Sequence, residues 1–103
     1  MKRVYISGHI TGTDDYKQRF RAAELELKER KYIPINPAKV NATLPAKYTS
    51  HEEYMQISFC LLDMCDAIYM MPNWQQSAGA CMEYGYAKAK GKTIYREMPP
   101  ALS

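Results

Sequence analysis

The stretch between Ala67 and Gly91 constrains the fold more than any other part of the chain. It begins with an apolar run, Ala67 to Met71, that is typical of a buried strand. A polar turn at residues 72–77 then leads into a helix that ends at Gly91. In α/β folds, ligands bind where a strand ends and the next helix begins. The sequence therefore predicts an α/β fold with a binding site at this turn.

Strands and helices alternate along the whole chain. We predict strands at residues 4–7, 32–35, 67–71 and 92–95, and helices at about 14–30, 51–64 and 78–91. This alternation favours a small parallel sheet with right-handed crossovers and helices on both faces. The expected strand order is 2-1-3-4, as in flavodoxin-like or Rossmann-like sheets. The turns after the first and third strands then meet in one crevice.

Two further segments are defined by their turn residues. Residues 37–49 contain two prolines and are predicted as a loop, long enough to be a candidate lid. Ser50 and Glu53 form the pattern of a capping box at the start of the second helix. Residues 96–103 are predicted as a tail.

Composition limits the class of protein. A chain of 103 residues with 47% apolar and 24% charged side chains is expected to form a single domain, residues 1–103, with its own core. A net charge of +3 is too small to indicate a nucleic-acid polymer as partner, and no apolar run approaches the roughly 20 residues of a membrane span. Three cysteines without a CxxC pattern favour a reducing, cytoplasmic location.

The topology also sorts polar residues between the two ends of the sheet. Those expected at the ligand-binding end, after a strand or at a helix start, are Ser7, His9, Thr11, Asn36, His51, Glu52, Glu53, Asn73, Trp74, Ser77 and Glu83. Ser77 can cap its helix, and Gly79 leaves room for a ligand beside the first turn. Glu83 lies six residues after Ser77, about 9 Å further along the helix axis. Its side chain can point back toward the first turn of the helix.

Structural roles are open for the same residues. Ser77 can act as an N-cap alone, and Trp74 can fill the core or stack on a base. Glu83 can face solvent. Its neighbours Ala80, Tyr84 and Ala87 instead indicate a helix that packs closely on the sheet, where packing alone does not explain an acidic side chain. No His/Cys spacing matches a zinc site, and the glycines do not form a complete G-x-G-x-x-G pattern.

Two motifs resemble the nucleoside 2-deoxyribosyltransferase superfamily, and in particular its short bacterial and phage members. One is Tyr5-Ile6-Ser7-Gly8-His9-Ile10 followed by an acidic helix start. The other is Ser77-x-Gly79-x-x-x-Glu83-x-Gly85-x-Ala87. The resemblance extends from residue 4 to about residue 95.

The resemblance implies an enzyme that exchanges the base of a deoxynucleoside or hydrolyses the N-glycosidic bond of a deoxynucleoside 5′-monophosphate. Glu83 is then the nucleophile that attacks C1′ and forms a covalent glycosyl-enzyme. The implied substrate-binding residues are Tyr5, Ser7, Gly8, His9, Ile10, Thr11, Asn73, Trp74, Ser77 and Gly79, of which Ser77 and the 7–11 turn hold a phosphate. It also implies no metal or cofactor, and a homo-oligomer, a dimer or larger, that shares its sites between subunits.

The chain departs from the superfamily pattern at three places, one of which is Ser77, where some transferases have an aspartate. Ser58 stands where relatives usually carry an aspartate that contacts the sugar or protonates the base. A phosphate-binding arginine of some hydrolases is replaced near Ile10 and Thr11. The proton donor therefore stays open, with Glu52 and Glu53 as other acids. Two alternatives to an enzyme follow: a nucleotide-binding or sensing module with the same pocket, and an interaction protein whose aromatic surface forms an oligomer.

Overall fold

A computed structural model describes residues 2–10 and 14–102 of the chain. Within these residues, the strands are β1 (Arg3–Ser7), β2 (Ile33–Ile35), β3 (Ala67–Met70) and β4 (Thr93–Tyr95). The α-helices are α1 (Tyr16–Glu29), α2 (Pro37–Asn41), α3 (His51–Asp63) and α4 (Ala78–Ala89). Short 3-10 turns occur at Ala46–Tyr48 and Trp74–Gln76.

The strands form one parallel sheet in the order β2-β1-β3-β4, which confirms the predicted order. The register pairs Tyr5 with Ile68 and Ser7 with Met70 at the centre of the sheet. The carboxyl ends of β1 and β3 are therefore adjacent. The turns that follow these strands start side by side, and this places the predicted crevice at one edge of the sheet.

The core lies on both faces of the sheet, because β1 and β3 are buried on both sides. Val4 and Ile6 pack with Phe20 and Leu27 of α1 on one face. Tyr5 points to the opposite face and belongs to the cluster that contains residues of α3 and α4. Alternate residues of a strand point to opposite faces, so a strand between two helical layers must be apolar along its whole length. This explains why these strands have continuous apolar runs.

The segment at residues 37–49 differs from the predicted loop, because it contains α2 and a 3-10 turn. The Asn36 side chain accepts a hydrogen bond from the backbone N–H of Ala38, and Pro37 occupies the first turn of the helix. Asparagine as N-cap followed by proline is a helix-start signal. The sequence interpretation took the same two residues only as the end of a strand. The lid function of the segment stays a prediction.

A buried acid attaches α2 to α1. Glu24 of α1 is 7% exposed, and its carboxylate accepts hydrogen bonds from Asn36 (3.1 Å) and from Lys39 of α2 (2.8 Å). Lys28 lies 3.8 Å from the same carboxylate. Burial alone would raise the pKa of Glu24, but the hydrogen bonds from Lys39 and Asn36 and the two lysine charges together lower it. Its negative charge therefore stabilises the position of α2.

The other helices begin at recognisable signals. The capping box of α3 is confirmed, because Ser50 Oγ accepts from the N–H of Glu53 and the Glu53 carboxylate accepts from the N–H of Ser50. Helix α1 begins at Tyr16, later than predicted, because Asp15 occupies the N-cap position. None of the helices in residues 2–10 and 14–102 combines the length and the apolar character required to cross a membrane.

The tail packs on the α1 side of its own chain. The Tyr32 hydroxyl donates to the carbonyl of Pro100 (2.7 Å), and the N–H of Leu102 donates to the carbonyl of Arg30 (2.9 Å). Met98 and Leu102 contact the core cluster on this face. The tail thus covers part of the core, and the homo-oligomer implied by the sequence resemblance stays a prediction.

We expect Glu24→Gln to lower the free energy of unfolding by about 1 kcal/mol at pH 7. The folded-state pKa of Glu24 lies below its unfolded value, so its charge stabilises the fold above the unfolded pKa. That contribution is lost as the pH falls through the folded pKa, and the difference between wild type and variant should shrink below a pH of about 4. Urea unfolding at several pH values measures this.

The matched control is Glu26→Gln on the same helix. The ion pair of Glu26 with Arg30 is solvent-exposed, so this change should cost less than about 0.5 kcal/mol. Equal costs for the two variants, or a Glu24→Gln effect that persists at pH 3, would contradict the role given to the buried carboxylate.

Candidate active site

The candidate site is built around the carboxylate of Glu83. It accepts one hydrogen bond from the Tyr5 hydroxyl and one from the Ser7 hydroxyl, each at 2.6 Å. These two residues are two positions apart on β1, so their side chains point to the same face of the sheet, toward α4. Glu83 is only 8% exposed. The interpretation of Glu83 as a solvent-facing residue is therefore wrong.

Burial changes the acid–base properties of this cluster. Removal from water raises the pKa of Glu83, and hydrogen bonds from Ser7, Tyr5 and Ser58 only partly oppose this increase. The pKa of Tyr5 is also raised, first by burial and then by the nearby charge of Glu83. Tyr5 therefore keeps its proton and acts as a hydrogen-bond donor to the carboxylate.

Ser58 of α3 completes the polar cluster. It is 5% exposed, and its hydroxyl interacts with both Glu83 and Tyr5. The resemblance expects an aspartate here, and the structure brings a neutral hydroxyl to that place instead. Among the described residues that line the adjoining cavity, Glu83 is the only acid. The carboxylate is thus next to hydroxyl groups and not next to a second negative charge.

A cavity of about 660 Å³ opens above this cluster. Its size lies within the range of roughly 300–1,000 Å³ found for small-ligand sites. One wall is formed by the turn after β1, including His9 and Ile10, and another by Tyr16, Lys17 and Phe20 at the start of α1. The cavity therefore lies at the carboxyl end of the central strands, where the topology predicts a ligand.

Most of the predicted site residues are brought together here. The residues that line the cavity are Tyr5, Gly8, His9, Ile10, Ser77, Gly79 and Glu83, and fully buried Ser7 reaches Glu83 from β1. Thr11 lies outside the described residues. Their roles in binding and catalysis stay predictions, but their common location agrees with the two motifs.

Asn73 and Trp74 are not brought into this cavity. Asn73 has a left-handed backbone conformation, with φ of 68°, and lines a second cavity beside Met71 and Pro72. Trp74 stacks on Tyr84 of α4 with ring centroids 4.9 Å apart. The polar turn was predicted as one binding segment, but its 3-10 turn directs the indole onto the helix. Trp74 thus has the packing role that the sequence left open.

The first turn of α4 faces the cavity. The Ser77 side chain accepts a hydrogen bond from the N–H of Ala80 at 3.1 Å, which confirms that Ser77 is the N-cap. A Cβ at Gly79 would meet Met55 and His51 at ordinary contact distances, so packing alone does not require glycine there. The N–H groups of this turn and the helix dipole give this part of the cavity a positive potential.

The face of α3 that lines the cavity was only partly predicted. His51, Tyr54, Met55 and Ser58 line it, with the i, i+3, i+4, i+7 spacing of one helical face. Glu52 and Glu53, the other acids considered, are exposed and absent from the lining, and Glu53 is engaged in the capping box. The helical phase from Ser58 would have selected His51 over these two acids.

Sequence reasoning missed a third wall, formed by the 37–49 segment. Asn41 and Leu44 line the cavity there. Their contribution depends on α2, which was predicted as loop. Separately, no group of three or more His, Cys, Asp or Glu side chains in residues 2–10 and 14–102 is arranged to hold a metal ion.

Two solved structures have a similar fold. The 2-deoxyribosyltransferase from Leishmania mexicana superposes with a TM-score of 0.66 at 21% identity, over 91% of this chain and 62% of that one. The CMP N-glycosidase from Clostridium botulinum superposes with a TM-score of 0.61 at 24% identity, over 90% and 66%. The chain therefore shares the fold of these two enzymes, in agreement with the predicted resemblance. The chain spans less than two thirds of the length of either protein.

The sequence itself matches one family model over residues 2–96. The chain belongs to this family, which is described as Domain of unknown function (DUF4406). No functionally curated protein matches the sequence.

We expect Glu83→Gln to unfold at a higher temperature than the wild type at pH 8. Because the folded-state pKa of Glu83 is raised, the folded protein binds more protons than the unfolded chain above a pH of about 4. The stability of the wild type therefore falls as the pH rises toward the folded pKa, and the neutral amide removes this loss. Thermal unfolding from pH 4 to pH 8 measures the difference, which should be smallest at pH 4.

Tyr5→Phe is the matched control. It removes a donor that favours the charged carboxylate, so the loss of stability with rising pH should become steeper than in the wild type. The opposite result would be a Glu83→Gln protein that is less stable than the wild type at pH 8, by an amount that does not change with pH. It would show that burial does not raise the pKa of Glu83.

Proposed function

We propose that the protein is a nucleoside 2-deoxyribosyltransferase-like enzyme that cleaves or exchanges the N-glycosidic bond of deoxynucleosides or their 5′-monophosphates. The observation that carries this proposal is the buried Glu83 carboxylate, held by Tyr5 and Ser7 beside a cavity of nucleotide size. The names of the two solved enzymes, a CMP N-glycosidase and a 2-deoxyribosyltransferase, support this class of reaction.

The start of α4 suits the 5′-phosphate. The first N–H groups of a helix lack partners within the helix, and the dipole attracts an anion. The Ser77 oxygen accepts from Ala80, so its hydroxyl hydrogen can still donate to a ligand. Lys17 is the only lysine or arginine among the described lining residues, and it adds positive charge to the cavity. These groups support a monophosphate as substrate in preference to a free nucleoside.

The reaction proceeds by nucleophilic substitution at C1′. One Glu83 oxygen attacks C1′, the C1′–N bond breaks, and its electron pair leaves with the base. In the second step, water attacks C1′ and the ester bond to Glu83 breaks, which restores the carboxylate and releases the deoxyribose phosphate. An acceptor base in place of water gives exchange. Burial makes the Glu83 carboxylate more basic than an exposed one, and therefore a stronger nucleophile.

The leaving base takes a proton from a group of the cavity or from water. Ser58 cannot supply it as an acid, and Glu52 and Glu53 lie outside the lining. The imidazoles of His9 and His51 line the cavity, and an imidazole N–H can donate a hydrogen bond to the leaving base. We assign general-acid assistance to this pair of side chains.

One observation favours a second candidate function. The neutral Ser58 leaves the site with a single acid, and this is compatible with a nucleotide-binding or sensing module that performs no chemistry. The two functions differ in one respect that can be measured, because only the enzyme breaks the bond between base and sugar.

We expect the purified protein to release free base from at least one member of a panel of deoxynucleosides and their 5′-monophosphates. Glu83→Gln should reduce the rate by about 10³-fold or more, because the nucleophile is lost while the cavity keeps its shape. Chromatographic separation of base and nucleotide measures this, with and without an added acceptor base. Release without acceptor indicates a hydrolase, and release only with acceptor indicates a transferase.

Glu53→Gln is the control, since Glu53 is an exposed acid outside the cavity. It should keep the wild-type rate. If wild type and Glu83→Gln release no base but calorimetry detects binding of a deoxynucleotide, the binding module is the correct function. If the wild type neither binds nor cleaves any member of the panel, both functions fail.

A further inference from the structure

Three hydroxyl groups surround the carboxylate of Glu83, and they differ in their access to the cavity. Tyr5 and Ser7 each donate a hydrogen bond of 2.6 Å, one to each carboxylate oxygen, and both residues are fully buried. Ser58 also interacts with Glu83, but it lines the cavity and keeps 5% of its surface exposed. A ligand group that comes to lie beside the carboxylate therefore meets Ser58.

Helix α3 directs the side chain of Ser58 toward the cavity. His51, Met55 and Ser58 lie at positions i, i+4 and i+7 of the helical face that lines it. Serine has a single heavy atom beyond Cβ, so it leaves space above itself that a larger side chain would fill. Its oxygen can accept a hydrogen bond from a ligand as well as donate one. Ser58 thus offers room and a polar partner at the same place.

The stereochemistry of a nucleotide determines which of its groups reaches this place. In a β-nucleotide the base lies on one face of the sugar ring, and a nucleophile that displaces the base attacks C1′ from the opposite face. The 2′-hydroxyl of ribose projects from this same opposite face, on the carbon next to C1′. When Glu83 attacks C1′, a 2′-hydroxyl therefore lies beside its carboxylate. Deoxyribose has only hydrogen atoms at this carbon and offers Ser58 no partner.

The groups around Glu83 are suited to a 2′-hydroxyl at this position. Each oxygen of the carboxylate already accepts a short hydrogen bond, from Tyr5 or from Ser7, whereas the Ser58 oxygen can accept one from the substrate. Glu83 is the only acid among the described residues that line the cavity, so the oxygen of the 2′-hydroxyl is not placed against a second negative charge.

We propose that Ser58 is a specificity-determining residue that binds the 2′-hydroxyl of ribose, so that the protein also cleaves ribonucleoside 5′-monophosphates. This inference rests on the proposed function and extends its substrate class from deoxyribose to ribose. The steps are those given for the deoxynucleotide. The base leaves with the electron pair of the C1′–N bond and takes up a proton, water resolves the ester to Glu83, and ribose 5-phosphate is released.

The test compares kcat/KM for three 5′-monophosphates that carry the same base on ribose, on 2′-deoxyribose and on arabinose. The 2′-hydroxyl of arabinose lies on the face of the base, away from Glu83. It withdraws electrons from C1′ as the hydroxyl of ribose does, so the arabinose compound controls for the electronic effect of this group on an oxocarbenium-like transition state. We expect the wild type to favour ribose over arabinose by about tenfold, the effect of one hydrogen bond.

Ser58→Ala removes the oxygen and keeps the space. We expect it to lower the ratio of kcat/KM for the ribose compound to that for the deoxyribose compound by about tenfold. Loss of the interaction between Ser58 and Glu83 affects the attack on both sugars, so it cancels in this ratio. The ratio for arabinose and deoxyribose should stay unchanged, because Ser58 does not reach the arabinose hydroxyl.

Gln56→Ala is the matched control. Gln56 is an exposed residue of the same helix, two positions before Ser58, and it does not line the cavity. This variant should keep the wild-type kcat/KM for all three compounds. Thermal unfolding of each variant verifies that it is folded, and the comparison of ribose with arabinose tests the inference on the wild type alone.

The outcomes separate this inference from the proposed function. If the wild type cleaves the deoxyribose compound but not the ribose compound, the proposed function stands and the inference is wrong. If ribose and arabinose react equally well, or if Ser58→Ala leaves the ratio of ribose to deoxyribose unchanged, the role of Ser58 is refuted. If the wild type cleaves none of the three compounds with any of the common bases, the proposed function fails, and the role of Ser58 fails with it.

Discussion

The carboxylate of Glu83 is held in the interior by hydroxyl groups of Tyr5 and Ser7 on the adjacent central strand. This arrangement costs desolvation free energy, because the carboxylate is removed from water, and the pKa of Glu83 rises for the same reason. The rest of the structure makes the arrangement possible. The parallel pairing of β1 with β3 and the packing of α4 on the same face bring the three side chains together.

The same constraint organises the cavity. Helix α4 must lie close to β1 for Glu83 to reach its donors, and its first turn then faces the turn after β1. Helix α3 contributes Ser58 to the cluster and His51 to the wall. The network around Glu24 fixes α2, and α2 carries Asn41. The cavity is thus lined by the first turn of α4, by the buried carboxylate of Glu83 and by residues of the 37–49 segment.

Much of the fold and the centre of the site follow from the sequence. Continuous apolar runs and alternation with helices were sufficient to predict the parallel sheet and its strand order, because these signals are local and strong. Glu83 and Ser77 were found from their spacing after a strand. Helix α2 was missed, because five residues give little helical periodicity and the Asn36-Pro37 cap was taken for a strand end. Trp74 was placed at the ligand, but the contact with Tyr84 that removes it from the cavity is a tertiary one that no local pattern contains.

The central claim is that Glu83 forms a covalent bond to the sugar. The most direct measurement is mass spectrometry of the protein after acid quenching during turnover of a deoxynucleoside 5′-monophosphate, followed by peptide mapping. The account predicts a mass increase of one deoxyribosyl phosphate unit on the peptide that contains Glu83, and no such increase in Glu83→Gln. Base release at the full rate without any adduct, or with the adduct on another residue, would contradict it.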